Sequence, residues 1–497
     1  MEQKLTLFQN AKNHENRIAF VGEFGELTYG ALLKKSETFA MRLLNGKSDL
    51  DEARIAFLAP AGPEYAIIQW GIWRAGGIAV PLSIGASAPE LEYCLGCASV
   101  SQVVLGLPSK EITTLCDKQQ ISILIFDDIK THTEVTLPTL DMDRRAMILF
   151  TSGTTNKPKG VVTTHANIEA QVRTLVDFWE WRKEDIIPLF LPMHHIHGII
   201  NVMTCALFCG AKIDCFSFGF DMTAILNQVK GRVYSLFMAV PTIYVKIIHA
   251  MEKLPTEERD EICSGFRYMR LMISGSAALP IKIHEQWQAL TGQILLERYG
   301  MTEIGMALSN PLSGERRPGA VGIPLPGVDI QLVGEGGNII ENENDPGEIL
   351  VKGAGIFLEY WQNAKATKES FKDGWFLTGD MAVLEQGYYR IMGRLSVDII
   401  KSGGYKLSAL EIENYLLGHN AVKECAVLGI EDEIWGEVVA TIIVLNEGSV
   451  LTLEDLQHWS KDKMSNYKIP RKLRILEGIP KNAMGKVKKP DLKVFFN

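Results

Sequence analysis

An α/β fold class follows from three features of this chain. Short β-branched runs alternate with helical stretches through the N-terminal half, Gly/Pro-punctuated β-runs take over after Pro318, and mixed helix and strand return after Asp398. In order, residues 54–59, 103–106, 121–126 and 186–191 are apolar enough for buried strands. Residues 64–75 and 167–178 read as the helices between such strands, an alternation that predicts parallel sheet. Runs at 347–351 and 387–391, each opened by a glycine, predict a β-rich subdomain. A helix at 410–417 followed by β-runs at 422–428 and 438–445 predicts a small α+β unit. The expected division is a large N-terminal domain over 1–397 and a C-terminal domain over 398–497. No internal repeat or low-complexity tract interrupts this plan.

Composition agrees with a multidomain globular protein. With 497 residues, 46% hydrophobic and 22% charged, the chain can bury a large core. A net charge of −8 argues against nucleic acid as a general partner, without excluding a local anion site. Glu2, Lys4, Glu15 and Arg17 break up the N-terminus, which therefore lacks a signal peptide's apolar core or an acid-free transit helix. The apolar region 198–211 carries Asn201 and Thr204 and falls short of the roughly 20 residues of a membrane span. A cytoplasmic protein with no membrane span is expected, its oligomeric state left open. Eight scattered cysteines suggest reduced, mostly buried thiols, and Cys94 with Cys97 form a lone C-x-x-C without further zinc-type ligands.

Residues 148–162 carry the strongest chemical signal. Thr151, Ser152, Thr154 and Thr155 offer hydroxyls, Gly153 lets backbone N–H groups approach an anion, and Lys157 and Lys159 supply cations. That is the chemistry of a triphosphate loop. The Walker spacing is absent, and Val161 to Thr164 continue as a β-run where a Walker loop would open a helix. A Ser/Thr/Gly linker has a similar composition, but a linker is not expected between two β-branched runs.

The loop's S/T-G-T-T-x-x-P-K-G form resembles that of the adenylate-forming enzymes, the superfamily of acyl-CoA synthetases, luciferases and peptide-synthetase adenylation domains. Further motifs follow in the family's order: Tyr299-Gly300-Met301-Thr302-Glu303, Gly374 to Asp380, Gly393-Arg394 with Asp398 to Gly404, and Pro480 with Gly485-Lys486. The resemblance covers almost the whole chain. It implies a mobile C-terminal domain bearing a catalytic lysine, and ATP, Mg²⁺ and coenzyme A as reactants or cofactors.

Site roles follow from the same resemblance. Thr302 and Glu303 would meet the α-phosphate and Mg²⁺, hydroxyl to phosphate and hard carboxylate to metal, just after a strand that should turn at Gly300. Tyr299 would lie against adenine, with Gly275 and Ser276 also at the nucleotide. Asp380 would accept the ribose hydroxyls and Arg394 reach ribose or phosphate from the edge of the next domain. Lys486 would bridge the attacking carboxylate and the α-phosphate. From Lys461 onward 11 Lys/Arg face 3 Asp/Glu, a local positive excess against the overall acidity. Asp398 would be the hinge, and Lys401, Gly403, Gly404 and Tyr405 would line the CoA channel.

Arg298, just before the family tyrosine, bears on the acid. A buried cation suits a second carboxylate and not a fatty tail. His197, within Met193 to Gly198, and Ser274 or Ser276 would add donors. Together with residues 393–413 this combination resembles the malonyl-CoA synthetases, which implies malonate or methylmalonate, ATP and CoA as substrates. A salt bridge to a neighbouring acid would also explain Arg298. Other readings stay open: a ligase for succinate, acetate or another short acid, an adenylation enzyme loading a separate carrier protein, a luciferase-like oxygenase, or a nucleotide sensor.

Overall fold

A computed structural model of the chain describes residues 5–126, 135–151, 158–403, 405–461, 463–481 and 487–496. Its largest sheet has the order Glu359–Tyr360, Lys159–Thr164, Arg145–Thr151, Ile78–Pro81, Arg54–Leu58, Gln102–Leu105, Ser122–Ile125. From Arg145–Thr151 to Ser122–Ile125 neighbours run parallel, as the alternating pattern predicts. The other edge turns antiparallel, because Arg145–Thr151 and Lys159–Thr164 form a hairpin on which Glu359–Tyr360 adds a further strand. This is a mixed sheet where a parallel one was expected.

Local signals set the helices between strands. Pro63 occupies the first turn of Pro63–Arg74, where its missing N–H costs nothing. Thr164 and Asn167 form a reciprocal cap, Thr164 Oγ1 accepting from the Asn167 N–H at 3.1 Å and Asn167 Oδ1 from the Thr164 N–H at 3.0 Å. The cap starts the helix at His165, two residues before the position predicted from periodicity. Apolar residues 198–211 fold as a π-helix, His197–Thr204, running into the short helix Cys205–Cys209. Among the described residues no helix is long and apolar enough to cross a membrane.

A second sheet joins Leu236–Ala239, Leu271–Ser274 and Leu296–Met301 in parallel, then Gly305–Ser309 and Ile323–Pro324 antiparallel. The expected turn at Gly300 is corrected here. Leu296–Met301 runs through Gly300 with a bulge, and the chain reverses only at 302–304. Gly300 is needed for a close approach instead, since a Cβ there would lie 2.0 Å from the Gly305 carbonyl oxygen.

The β-rich subdomain is antiparallel, with Val328–Val333, Gly347–Gly353, Trp375–Glu385 and Tyr388–Arg394 as its main strands. Beyond it, Tyr405–Ser408, Ile399–Ser402, Gly436–Leu445, Val422–Asp432 and Lys472–Ile475 form the C-terminal sheet. Helix Ala409–Leu416 packs on it, and Ser408 caps that helix by accepting from the Glu411 N–H at 3.1 Å.

All eight cysteines are free thiols. Cys116, Cys205, Cys215 and Cys263 are buried, but Cys94, Cys97, Cys209 and Cys425 are only half-buried, fewer than expected. Cys94 and Cys97 flank the face of helix Ala88–Cys97 that buries Leu91 and Leu95, so neither reaches the core fully.

Gly300→Ala should force the 301–305 turn apart, at a cost of about 1–3 kcal/mol typical of overpacking. Thermal melts of the variant check this, and an unchanged midpoint would contradict the tight approach.

Candidate active site

Two parallel neighbours, Leu271–Ser274 and Leu296–Met301, bring Ser274 opposite Glu297 and so set Gly275 and Ser276 beside Arg298. The Arg298 side chain is only 6% exposed and lies across the Cα of Gly275, where an added Cβ would come within 2.4 Å of its Cζ. Glycine is the one residue that leaves room for it. Among the described residues Arg298 Nε and Nη2 have no hydrogen-bond partner. Burial lowers the guanidinium to about 10, which still leaves it charged at neutral pH.

Neighbouring side chains are donors without negative charge. His197, the first residue of the π-helix, is buried, and its Nδ1 lies 3.1 Å from Ser276 Oγ. Burial, then the charge of Arg298, then His195 push the His197 imidazole well below its usual range, so it is neutral. His197 Nε2 and Ser274 Oγ are buried and lack partners among the described residues. Ser276 holds a left-handed φ of +69° and is exposed, marking the side from which the cluster is reached. Chemically, a buried cation beside donors that lack partners among the described residues can take up an anion.

The acid adjacent in sequence does not neutralise Arg298. Successive strand residues face opposite sides, and Glu297 Oε1 instead accepts from the Gly319 N–H at 2.8 Å. Burial pushes its carboxyl up to about 8, opposed by backbone donors at Gly319 and Leu279. The salt-bridge explanation of Arg298 thus finds no partner among the described residues.

The nucleotide motifs gather around the hairpin and the turn at 302–304. Thr151 and Lys159 face each other across the hairpin; Ser152, Gly153, Thr154, Thr155 and Lys157 lie outside the described residues. Lys159 Nζ sits 4.6 Å above the ring of Tyr360, whose hydroxyl donates to Glu303 Oε1 at 2.9 Å. Burial holds the Glu303 carboxyl above its usual range, opposed first by its own backbone N–H and then by the Tyr360 hydroxyl, Arg394 and Lys159. Thr302 is half-buried in the same turn. Tyr299 donates its hydroxyl to Asp380 Oδ2 at 2.7 Å, and Arg394 Nε donates to Asp380 Oδ1 at 3.0 Å. Asp380 and Arg394 are register partners in the β-rich sheet, so Arg394 belongs to that subdomain's last strand.

Asp398 connects this sheet to the C-terminal unit. Its Oδ2 accepts from the Arg394 N–H at 3.0 Å and its Oδ1 from Lys489 Nζ at 2.6 Å. Lys489 also pairs with Glu413 at 2.7 Å. Lys401, Gly403 and Tyr405 sit apart on the next hairpin, Tyr405 stacked on Tyr467 with ring centroids 4.4 Å apart. Gly404 and Lys486 lie outside the described residues. Among the described residues no three His, Cys, Asp or Glu side chains cluster as a metal site.

Comparison with known proteins bears on this arrangement. The family described as AMP-binding enzyme matches residues 7–361, and the AMP-binding enzyme C-terminal domain matches 411–486. The chain belongs to the AMP-binding enzyme family. It is 40% identical to a Xenopus laevis protein named malonate–CoA ligase ACSF3, mitochondrial, over 99% of this chain and 92% of that protein. It is 39% identical to an Arabidopsis thaliana malonate–CoA ligase, over 99% of this chain and 88% of that one. ATP-bound MatB from Rhodopseudomonas palustris superposes with a TM-score of 0.90 at 30% identity, covering 99% of both chains.

Sequence reasoning missed three residues that the fold brings to these family motifs. Tyr360 meets a partner 57 positions away, and Lys489 bridges Asp398 and Glu413, which come from two different segments. No spacing rule signals such pairs, although Lys489 stands only three residues beyond Lys486.

Glu297 gives a pH test. A carboxyl raised from 4.5 to about 8 holds its proton longer in the folded chain than in the unfolded one. Its contribution therefore favours the fold below pH 4.5 and is lost as pH rises towards 8. Glu297→Gln should flatten this fall, giving a gain over wild type that grows across that interval in denaturant titrations. A pH-independent difference would refute the assignment.

Proposed function

We propose that the chain is an ATP-dependent acid:CoA ligase whose acid is malonate. The observation carrying this reading is the buried guanidinium of Arg298, two of whose nitrogens lack partners among the described residues, beside neutral His197 and Ser274. A distal carboxylate would satisfy both nitrogens in a bidentate contact, whereas a methyl terminus would leave a bare charge buried. Malonate is short enough to hold one carboxylate there and offer the other to ATP. The names of the Xenopus and Arabidopsis relatives support the same substrate.

In the proposed first step the free carboxylate attacks the α-phosphorus of ATP, forming an acyl-adenylate and expelling pyrophosphate. Residues 151–159 and Thr302 would hold the phosphates, and Lys486 would offset charge building at the α-phosphate. Asp380, braced by Tyr299 and Arg394, would take the ribose. Glu303 would hold Mg²⁺; a single hard carboxylate fits an ion that keeps mostly water and phosphate oxygens as ligands. When bound, that ion would lower the negative charge of the triphosphate.

In the second step the CoA thiol attacks the mixed anhydride, giving the thioester and AMP. The proposed 398–497 domain would turn about Asp398, withdrawing Lys486 and presenting Lys401 to Tyr405. The ion pair between Asp398 and Lys489 supports a coupling of hinge and lysine segment.

A panel of short mono- and dicarboxylates with ATP and CoA, scored by thioester mass, tests the reading. Arg298→Ala removes a charge-assisted pair worth about 1.5–3 kcal/mol, so kcat/KM for malonate should fall about tenfold to a hundredfold. Acetate and propionate should change less. An equal fall for malonate and propionate would sink the dicarboxylate reading. Lys486→Ala should cut adenylation by on the order of a hundredfold or more, yet spare thioester formation from supplied acyl-adenylate. Equal loss in both half-reactions would remove Lys486 from the first step alone.

A further inference from the structure

Tyr360 touches two parts of the nucleotide site at once. Its strand, Glu359–Tyr360, is an edge addition to the hairpin, with Tyr360 opposite Val161. Lys159 is two residues from Val161 and projects on the same face, which brings its Nζ to 4.6 Å from the Tyr360 ring centroid. The Tyr360 hydroxyl donates to Glu303 Oε1 at 2.9 Å. Backbone contacts lock the pair in place: Phe357 N–H donates to the Glu303 carbonyl at 2.8 Å, and Tyr360 N–H donates to Thr367 Oγ1 at 3.0 Å. The ring packs edge-on against Phe357, 4.7 Å between centroids, so it has little freedom to turn.

We propose that Tyr360 is a positioning residue for adenylation, its hydroxyl aiming the Glu303 carboxylate at the nucleotide-bound cation and its ring holding Lys159 beside the triphosphate. This rests on the ligase reading above. A carboxylate on a turn can rotate about its own bonds; a donor fixed on one oxygen sets the direction of the other. The ring meanwhile offers the Lys159 ammonium a face without neutralising it, leaving its charge for phosphate. A carboxylate partner in that place would have competed with the ligand.

The experiment uses the full chain with ATP as probe, bound in Mg²⁺ and separately in EDTA, by calorimetry. Tyr360→Phe retains the ring and its packing, and melts establish that it folds. It should lose at least about tenfold of the affinity advantage that Mg²⁺ gives, with binding in EDTA unchanged. Tyr360→Leu, which also removes the ring, should in addition weaken ATP in EDTA by about twofold to fivefold. A wild-type magnesium dependence in Tyr360→Phe would overturn the inference. Glu303→Gln separates the two levels: if it too leaves the magnesium advantage intact, Glu303 is not the cation's carboxylate and both readings fall. If Glu303→Gln loses the advantage while Tyr360→Phe keeps it, the tyrosine inference alone is wrong.

Discussion

A guanidinium buried without a counter-charge is costly, and among the described residues Arg298 has none. Gly275 yields its side-chain space to the guanidinium, Glu297 faces the opposite side of the strand, and His197 is held neutral. Together they leave the guanidinium room, without the charge of Glu297 or of a protonated His197 against it. One carboxylate in the surrounding protein would have neutralised the charge, and among the described residues none pairs with it. The sheet geometry that aligns Ser274 with Glu297 is what brings this cluster into being.

Around the nucleotide motifs the carboxylates Asp380 and Glu303 already have donors. Asp380 accepts from both Tyr299 and Arg394, and Glu303 accepts from Tyr360. Such pairs fix side chains before any ligand arrives, which lowers the ordering cost of binding. They also join separate parts of the fold. Tyr299 comes from the α/β layers and Asp380 from the β-rich subdomain, so one hydrogen bond registers the two against each other.

At the far end of that subdomain the chain passes through Asp398, held by Arg394 on one side and by Lys489 on the other. Lys489 is itself buried between two carboxylates. The Lys489–Glu413 pair is internal to the C-terminal unit, whereas the Lys489–Asp398 pair ties that unit to the residue at its boundary.

Sequence alone determined the elements and the chemical identity of the motifs. Apolar periodicity located the strands near Arg54, Val103 and Ile186 and the helix ending at Phe178, since burial of one face is a local demand on composition. The ordered motifs pointed to the family before any contact was known, because hydroxyls, glycines and lysines around a phosphate leave a dense local pattern. Tertiary structure decided the remainder. Whether Arg298 had a neighbouring acid depended on which side of a strand Glu297 faced and on what the next strand brought opposite it. The bulge at Gly300, the π-helix that carries His197 and the edge strand that carries Tyr360 arise from contacts between distant segments. A linear pattern records what each residue can do; only the packed sheet fixes which charge is left without a partner.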